Sequence, residues 1–186
     1  MALTGATGVV YGIRLLEVLQ GFTDVETHLI ISEYAEEVIN LETDREVGEV
    51  KKLAHYHHEF RDLAASLASG SFTTRGMVVA PCSMKTMAAI AHGLADNLIT
   101  RAADVTLKEK RKLILAPRET PLNVIHLENM VTLARVGAIL MPPMPAFYNL
   151  PRDINDLVDH FVGRILDQFD LPHELTKPWQ GRNTGG

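Results

Sequence analysis

Short apolar runs alternate along the chain with longer stretches in which apolar residues recur every three or four positions. The runs have the length of buried strands, and strands are predicted over residues 1–4, 25–31, 77–80, 112–116 and 138–141. The stretch after residue 8 is typical of an amphipathic helix, and its apolar face consists of Val9, Ile13, Leu16 and Leu19. Further helices are predicted over residues 33–41, 59–67, 83–93, 97–110, 122–135 and 154–169.

A strand followed by a helix recurs about five times along the chain. This order predicts a three-layer α/β fold with a mainly parallel sheet of five or six strands. We expect residues 1–169 to form one domain and residues 170–186 to form a polar C-terminal tail. Right-handed crossovers place every turn that follows a strand at one edge of such a sheet, so a ligand is expected at that edge.

The segment of residues 78–87 carries the clearest chemical signal of the chain. It indicates a buried strand, a sharp turn at Pro81 and the start of a helix, with Ser83 and Thr86 in the first helical turn. Backbone N–H groups are unpaired there and the helix dipole is positive, so an anion such as a phosphate is favoured. The alternative is that Ser83 only caps the helix.

The other turns that follow predicted strands carry small, hydroxyl or charged residues. They contain residues 5–8, Ser32, Arg118 with Glu119, and Tyr148. The glycines of residues 5–8 permit a tight turn and close backbone approach to a ligand, but they lack the full dinucleotide fingerprint. Together these turns favour an anionic, nucleotide-like ligand without determining the reaction.

Two further groups of polar residues have a plain structural interpretation. Helical spacing puts Arg101, Asp104 and Lys108 on one face, which by itself is typical of a surface salt-bridge ladder. The histidines at positions 55, 57 and 58 do not form a convincing metal-ligand pattern, so we interpret them as a solvated polar stretch and predict no metal site.

Composition excludes several classes of function. A net charge of −5 argues against nucleic acid as the main partner. No apolar run is long enough to span a membrane, and no signal peptide is recognisable. The single cysteine, Cys82, suits a reducing cytoplasm and is expected to be a buried small apolar residue rather than a nucleophile.

Eight short motifs in this order resemble those of the UbiX-type flavin prenyltransferases, especially the short members that accompany hydroxyarylic acid decarboxylases. The motifs are Gly5-Ala6-Thr7-Gly8, Leu41-Glu42-Thr43, Ser69-Gly70-Ser71, Pro81-Cys82-Ser83, the block 101–109 with Arg101 and Lys108, Pro117-Arg118-Glu119 with Pro121, the block 126–130, and Pro142-Pro143 with Pro145, Phe147 and Tyr148. The likeness covers almost the whole chain. It implies a Rossmann-like or flavodoxin-like subunit of a large homo-oligomer, a dodecamer, with FMN bound between subunits.

The resemblance also implies a reaction. Reduced FMN receives a dimethylallyl group from dimethylallyl phosphate at N5 and C6, and the prenylated FMN passes to a partner decarboxylase. It implies that FMN is held by Gly5, Ala6, Thr7, Ser32, Ser83, Met84, Lys85, Thr86 and Arg118. It implies that the prenyl donor is held by Arg101, Lys108, Tyr148 and Arg164, with Glu119 and Glu42 as catalytic residues. Arginine, lysine and tyrosine suit a departing phosphate, because they supply positive charge and a proton.

Two alternatives share the fold. One is an FMN-dependent decarboxylase of the cysteine-decarboxylase type. Enzymes of that type clamp the substrate with an Asn-Met motif, which Asn129-Met130 resembles only loosely. The other is an FMN carrier without catalysis, which would have no use for the cations and acids outside the flavin phosphate site. The sequence also lacks the aspartate-rich clusters with which pyrophosphate-dependent prenyl transferases bind Mg²⁺, so the reaction is expected to need no metal.

Overall fold

The computed structural model describes residues 1–176, 179 and 181. The strands are β1 (Ala2–Leu3), β2 (His28–Ile31), β3 (Tyr56–His58), β4 (Gly76–Cys82), β5 (Lys112–Pro117) and β6 (Ile139–Leu140). The helices are α1 (Val9–Leu19), α2 (Glu33–Glu42), α3 (Val47–Lys51), α4 (Met84–Ala91), α5 (Leu98–Lys108), α6 (Val124–Arg135) and α7 (Ile154–Gln168), and a 3₁₀ turn covers Ser66–Ala68. The chain divides into two compact units, Met1–Pro143 and Met144–Gly186.

The first unit contains a six-stranded sheet in which every pair of neighbouring strands is parallel. The strand order is β3-β2-β1-β4-β5-β6, so the chain runs outward from β1 in one direction and then from β4 in the other. The order therefore reverses between β1 and β4, and ligands of open α/β sheets bind at the carboxyl ends of the strands at such a point. The predicted fold class is confirmed.

The core has two halves because successive side chains of a strand point to opposite faces. Leu3, Leu29 and Ile31 pack with α1 and α2 on one face. Ala2 and Ile30 lie on the other face and pack with residues of β4, α4 and α5. Burial on both faces explains why these strands read as continuous apolar runs in the sequence.

The segment between α2 and β4 differs from the prediction. The predicted helix over residues 59–67 is wrong, because this stretch forms turns and only the 3₁₀ turn follows them. The Asp62 carboxylate accepts the N–H of Ala64 at 3.0 Å, a local bond that competes with a helix. Helix α3 and strand β3 were not predicted; they have five and three residues, too short for a clear period.

The second unit contains α7, whose predicted extent is confirmed to within one residue. Asp153 caps its first turn by accepting the N–H of Asp156 at 3.1 Å. Phe161, Ile165 and Phe169 recur at helical spacing and are buried, and Leu157 on the same face is partly buried. Residues 177, 178, 180 and 182–186 of the predicted tail lie outside the described part of the chain. Among the described residues, no helix has the length and apolar character needed to cross a membrane.

Candidate active site

Thr4 joins the carboxyl ends of β1 and β4, where the strand order reverses. It is 1% exposed, its hydroxyl donates to the carbonyl of Pro81 at 2.9 Å, and the same oxygen accepts the N–H of Ser83 at 2.7 Å. Thr4 therefore holds the start of α4 against the end of β1. Sequence reasoning missed this residue, although a hydroxyl at the last position of a buried strand, directly before a glycine-rich turn, was the available signal.

The first turn of α4 has the features of a phosphate site. Ser83 is the N-cap, and its hydroxyl oxygen accepts the N–H of Thr86 at 3.3 Å and lies 3.1 Å from the Thr86 hydroxyl. Met84 and Lys85 occupy the first two helical positions, where N–H groups have no partner within a helix. Two hydroxyls, these N–H groups and the positive end of the helix dipole make this turn fit the phosphate of a flavin nucleotide.

The first turn of α1 is arranged differently, because a carboxylate of the same chain already occupies it. Glu42 Oε2 accepts the N–H of Gly8 at 2.8 Å and that of Val9 at 3.3 Å. Gly8 has φ of +94°, a left-handed conformation that glycine adopts without strain. A phosphate at these two N–H groups would compete with Glu42, so α4 offers the better phosphate site and α1 places Glu42 beside the glycine-rich turn.

A side chain at position 5 would collide with the neighbouring turn. A Cβ atom built on Gly5 would lie 2.4 Å from Cβ of Tyr34, so only glycine allows this approach. Ala6 and Thr7 follow in the same turn and are partly exposed. Ser32 caps α2 by accepting the N–H of Ala35, and its own N–H donates to the carbonyl of Leu3, which fixes it next to the end of β1.

Arg118 and Glu119 occupy the turn after β5, next to the phosphate turn. The N–H of Arg118 donates to the carbonyl of Cys82 at 3.3 Å, and both side chains of the Arg-Glu pair are exposed. Glu119 Oε1 accepts the N–H of Thr120 at 2.9 Å. The turns after β1, β2, β4 and β5 are thus neighbours along one edge of the sheet, as predicted.

Cys82 ends β4 directly under this edge and belongs to the apolar core. It is fully buried, and burial raises the pKa of its thiol to about 12. A thiol in that state is a poor nucleophile at neutral pH. The prediction of a buried, apolar role for Cys82 is confirmed.

Arg101 and Lys108 lie at a different place in the first unit. Arg101 donates from Nε to the carbonyl of Ala68 at 3.1 Å and from Nη1 to Asp104 at 2.8 Å, which confirms the predicted i, i+3 pair. Lys108 donates to Glu109 at 2.5 Å. Both cations border the loop that enters β4, whereas Ser83 lies where β4 ends; seven strand residues separate the two ends by about 20 Å.

Tyr148 and Arg164 belong to the second unit. The Tyr148 hydroxyl is 3.0 Å from Nε2 of His160, and its ring makes an edge contact with Trp179. Arg164 donates to Asp167 at 2.5 Å. Both side chains are about half exposed.

The histidines 55, 57 and 58 are exposed or partly buried, and each has a defined partner or place in the sheet. His57 and His58 belong to β3, and Nε2 of His58 lies 2.8 Å from Nδ1 of His28 on β2. His55 pairs with the hydroxyl of Thr27 at 2.9 Å. Within the described residues, no group of three or more histidine, cysteine or acidic side chains is arranged to hold a metal ion.

Asn129 has a structural partner, which bears on the decarboxylase alternative. It is 5% exposed, and its Oδ1 lies 3.1 Å from Nε2 of His92, at the end of α4. The amide therefore joins α4 to α6 and faces the interior. This arrangement does not present Asn129 to a substrate, as a clamping motif would require.

A parallel α/β sheet with a helix start that fits a phosphate, at its point of strand-order reversal, is the arrangement expected of a nucleotide-binding protein. The family model described as Flavoprotein matches residues 1–166. A probable UbiX-like flavin prenyltransferase of Streptomyces sp. (strain D7) is 55% identical over 181 residues, which are 97% of this chain and 90% of that protein.

Two solved structures agree closely with the chain. A dodecameric FMN-dependent UbiX-like decarboxylase from Escherichia coli O157:H7 has a TM-score of 0.94 and 52% identity, covering 97% of this chain and all of that one. AnUbiX (PadA1) in complex with FMN and dimethylallyl pyrophosphate has a TM-score of 0.95 and 51% identity, covering 98% of this chain and 96% of that one. The chain belongs to the flavoprotein family and, within it, to the UbiX-type flavin prenyltransferases.

More distant structures share the fold alone. The peptidyl-cysteine decarboxylase EpiD has a TM-score of 0.61 at 19% identity, covering 78% of this chain and 80% of that one. The cysteine-decarboxylase alternative therefore rests on the common architecture.

Proposed function

We propose that this protein is a flavin prenyltransferase that joins a dimethylallyl group from dimethylallyl phosphate to reduced FMN and yields prenylated FMN for a partner aromatic acid decarboxylase. The observation that carries the proposal is the helix start at Ser83 and Thr86, which fits a phosphate, in a chain about 50% identical to flavin prenyltransferases. Glu42 lies at the start of α1 and Glu119 in the turn after β5, on the same edge of the sheet. When bound, reduced FMN supplies the N5 and C6 atoms that accept the dimethylallyl group.

The turns at the carboxyl edge of the sheet are proposed to hold FMN. The phosphate would accept hydrogen bonds from the hydroxyls of Ser83 and Thr86 and from the N–H groups of Met84 and Lys85. The turn of residues 5–7, the Ser32 turn and Arg118 border the same edge and would contact the rest of the nucleotide. Gly5 leaves room for close approach because no Cβ projects there.

Four side chains are proposed to bind the phosphate of the prenyl donor, and they are Arg101, Lys108, Tyr148 and Arg164. Three of them carry positive charge that stabilises a departing phosphate, and the tyrosine offers a proton. Glu119 would exchange a proton with that phosphate. Glu42, held by the N–H groups of Gly8 and Val9, would accept the proton lost when the flavin ring is restored.

The separation between Ser83 and Lys108 supports a site shared between copies of the chain. The two residues border opposite ends of β4, so we infer that the Lys108 which meets a flavin held at Ser83 belongs to another copy. A homo-oligomer removes this difficulty, because one copy supplies the flavin site and another the cations. We propose a dodecamer, the assembly described for the E. coli O157:H7 structure.

The proposed chemistry needs no divalent metal. Arginine and lysine stabilise a monophosphate leaving group directly, which is the task of Mg²⁺ in many pyrophosphate-dependent enzymes. We also place the protein in the cytoplasm, where a free thiol such as Cys82 stays reduced. Activity that disappears with EDTA and returns with Mg²⁺ would contradict the metal-free reaction.

The deciding experiment is mass spectrometry of the flavin released after incubation of the protein with reduced FMN and dimethylallyl phosphate. We expect a flavin that has gained one dimethylallyl unit, formed equally well in excess EDTA. Carbon dioxide release from a carboxylic acid by this protein alone would favour the decarboxylase alternative. Unmodified FMN that stays tightly bound under all conditions would favour an FMN carrier.

A further inference from the structure

The loop of residues 68–72, which leads toward β4, is held by two arginines that come from outside it. Arg101 Nε donates to the carbonyl of Ala68 at 3.1 Å. Arg111 donates from Nη1 to the carbonyl of Phe72 at 2.8 Å and from Nη2 to that of Gly70 at 2.7 Å. The forked guanidinium of Arg111 thus spans two carbonyls of the loop, a geometry that lysine cannot reproduce.

The same loop lies directly against the ion pair of Lys108 and Glu109. A Cβ atom built on Gly70 would lie 2.2 Å from Oε1 of Glu109 and 2.7 Å from Nζ of Lys108. Real Cβ atoms do not approach so closely, so the ion pair lies directly against the glycine. The φ angle of Gly70 is not positive, so its backbone does not need the left-handed conformation that favours glycine. Glycine matters at position 70 because the absence of a side chain leaves room for the ion pair of Lys108 and Glu109, and not because of its backbone freedom.

The two cations thereby depend on one short loop. Arg101 contacts its first residue, Lys108 lies against its centre, and Arg111 fixes the centre and the end. The Ser69 and Ser71 hydroxyls, 2.8 Å apart, tighten the loop from within. Arg101 retains Nη2 for a ligand once Nε and Nη1 are engaged, and Lys108 retains two of its three hydrogens.

We propose that the loop of residues 68–72 positions Arg101 and Lys108 for the phosphate of the prenyl donor, and that Gly70 and Arg111 are positioning residues for this reaction. The inference rests on the proposed function, because it assumes that the two cations bind that phosphate. Neither positioning residue touches the donor. Each acts by keeping a cation in place, and a displacement of about 1 Å costs up to about 100-fold in rate.

The main test is the Gly70→Ala variant of the full-length protein, in which the added methyl displaces only the flexible ends of Lys108 and Glu109. We expect kcat/KM for dimethylallyl phosphate to fall by about 10- to 100-fold. FMN affinity and the melting temperature are expected to match those of the wild type, because the flavin turns and the backbone are untouched. A loop with a purely structural role would change the melting temperature and leave kcat/KM for the donor unaltered.

A pair of Arg111 variants tests the second positioning residue. Arg111→Met removes both bonds to the loop, and Arg111→Lys keeps one cationic donor, so the lysine variant should recover part of the loss in kcat/KM that the methionine variant shows. The matched control is Gly48→Ala, another glycine-to-alanine change whose added methyl group points into open space, which should leave kcat/KM as in the wild type.

The Lys108→Met variant distinguishes a failure of the proposed function from a failure of the positioning role. If it uses dimethylallyl phosphate as well as the wild type does, the role of Lys108 in the proposed function is wrong. If Lys108→Met is impaired while Gly70→Ala and Arg111→Met are fully active, the function stands and the positioning role is wrong. Loss of FMN binding in Gly70→Ala would also overturn the proposal, because the effect would then not be confined to the cations.

Discussion

Individual carboxylates distinguish this site from a simple phosphate pocket. Glu42 is fixed by two backbone N–H groups that converge on one oxygen, so its place is set by the start of α1. Glu119 is exposed and engages only the N–H of the next residue among the contacts seen in the described chain. Its proposed partner is the donor phosphate, which makes Glu119 the more direct test of acid–base chemistry.

The variant Glu119→Gln should fold and bind FMN with wild-type affinity but lose turnover. Glutamine keeps the shape of the side chain and removes the exchangeable proton, and positioned acid–base groups contribute about 10²–10⁴-fold to rates. Single-turnover formation of prenylated flavin, followed by chromatography, measures the effect. Wild-type rates would rule out an acid–base role, whereas joint loss of folding and FMN binding would indicate that Glu119 is structural.

At the scale of elements, α1 packs directly on the two strands that flank the proposed flavin site. Gly12 on α1 makes this approach possible, because a Cβ atom there would lie 2.2 Å from the carbonyl oxygen of Ala80 and 2.3 Å from Leu3 Cδ2. The first of these contacts is with backbone, which cannot move aside cheaply. The distance between α1 and β4 therefore depends on a single missing methyl group.

We expect Gly12→Ala to destabilise the protein by about 1–3 kcal/mol, the usual cost of overpacking a core. Thermal unfolding should show a melting temperature lower by about 2–4 °C for each kcal/mol lost. Gly48→Ala on α3 is the control, because it meets open space and removes a glycine from a helix, which gains up to about 1 kcal/mol. Equal melting temperatures for the two variants would contradict the proposed close packing.

The edge strand β3 joins β2 partly through a pair of histidines. Nδ1 of His28 and Nε2 of His58 are 2.8 Å apart, so one of these nitrogens carries the hydrogen that the other accepts. The contact is lost when both rings are positively charged, because both nitrogens then carry a hydrogen. Burial lowers the pKa of His28 and, with the neighbouring His28 charge as a smaller cause, lowers that of His58. Glu26 opposes the effect on His28 without cancelling it.

This pair gives stability a defined dependence on pH. The unfolded histidines bind protons near pH 6.5 and the folded ones only at lower pH, so the contribution is complete above about pH 6.5 and declines as pH falls through the folded pKa values. We expect the melting temperature to fall below that pH more steeply for the wild type than for His58→Gln. Parallel profiles of the two proteins between pH 8 and pH 5 would contradict a role for the pair.

At the scale of the whole molecule, α6 carries several apolar side chains that are exposed in the described part of the chain. Exposed side chains on and just before this helix are Leu122, Val124, Ile125, Leu127 and Val131. Val124, Leu127 and Val131 share one face of the helix, and contiguous exposed apolar surface is typical of interaction sites. The proposed active site already combines residues from different copies of the chain, so α6 is a candidate contact between copies.

Light scattering should give the wild type a mass that is a multiple of the 20.6 kDa chain. Val124→Glu and Val131→Glu should shift the protein to smaller species, because burying a charge at an apolar contact is unfavourable. Turnover should fall in parallel, since separated copies cannot combine the flavin turns with Lys108. Glu128→Gln on the same helix serves as the control; smaller but fully active species would refute a shared site.

The sequence by itself determined the elements whose information is local. Apolar periodicity predicted the parallel sheet and most helices, since residues close in the chain decide which face is buried. The repeated order of strand, turn and helix predicted that Ser32, Ser83 and Arg118 lie at one edge of the sheet. Right-handed crossover connections place all turns that follow a strand at that edge. The family resemblance added the reaction and the roles of individual residues, and those roles stay predictions.

Only the tertiary structure decided the contacts between distant parts of the chain. Glu42 meets the start of α1 across 34 residues, and Arg111 meets Gly70 across 41. Strand β3 is three residues long and is a strand because it pairs with β2. Such a short segment has no recognisable hydrophobic period, so the sequence did not predict it. The position of Lys108 at the entry of β4 likewise follows from packing. Such contacts depend on how elements approach one another, and a sequence pattern records only which face of each element is apolar.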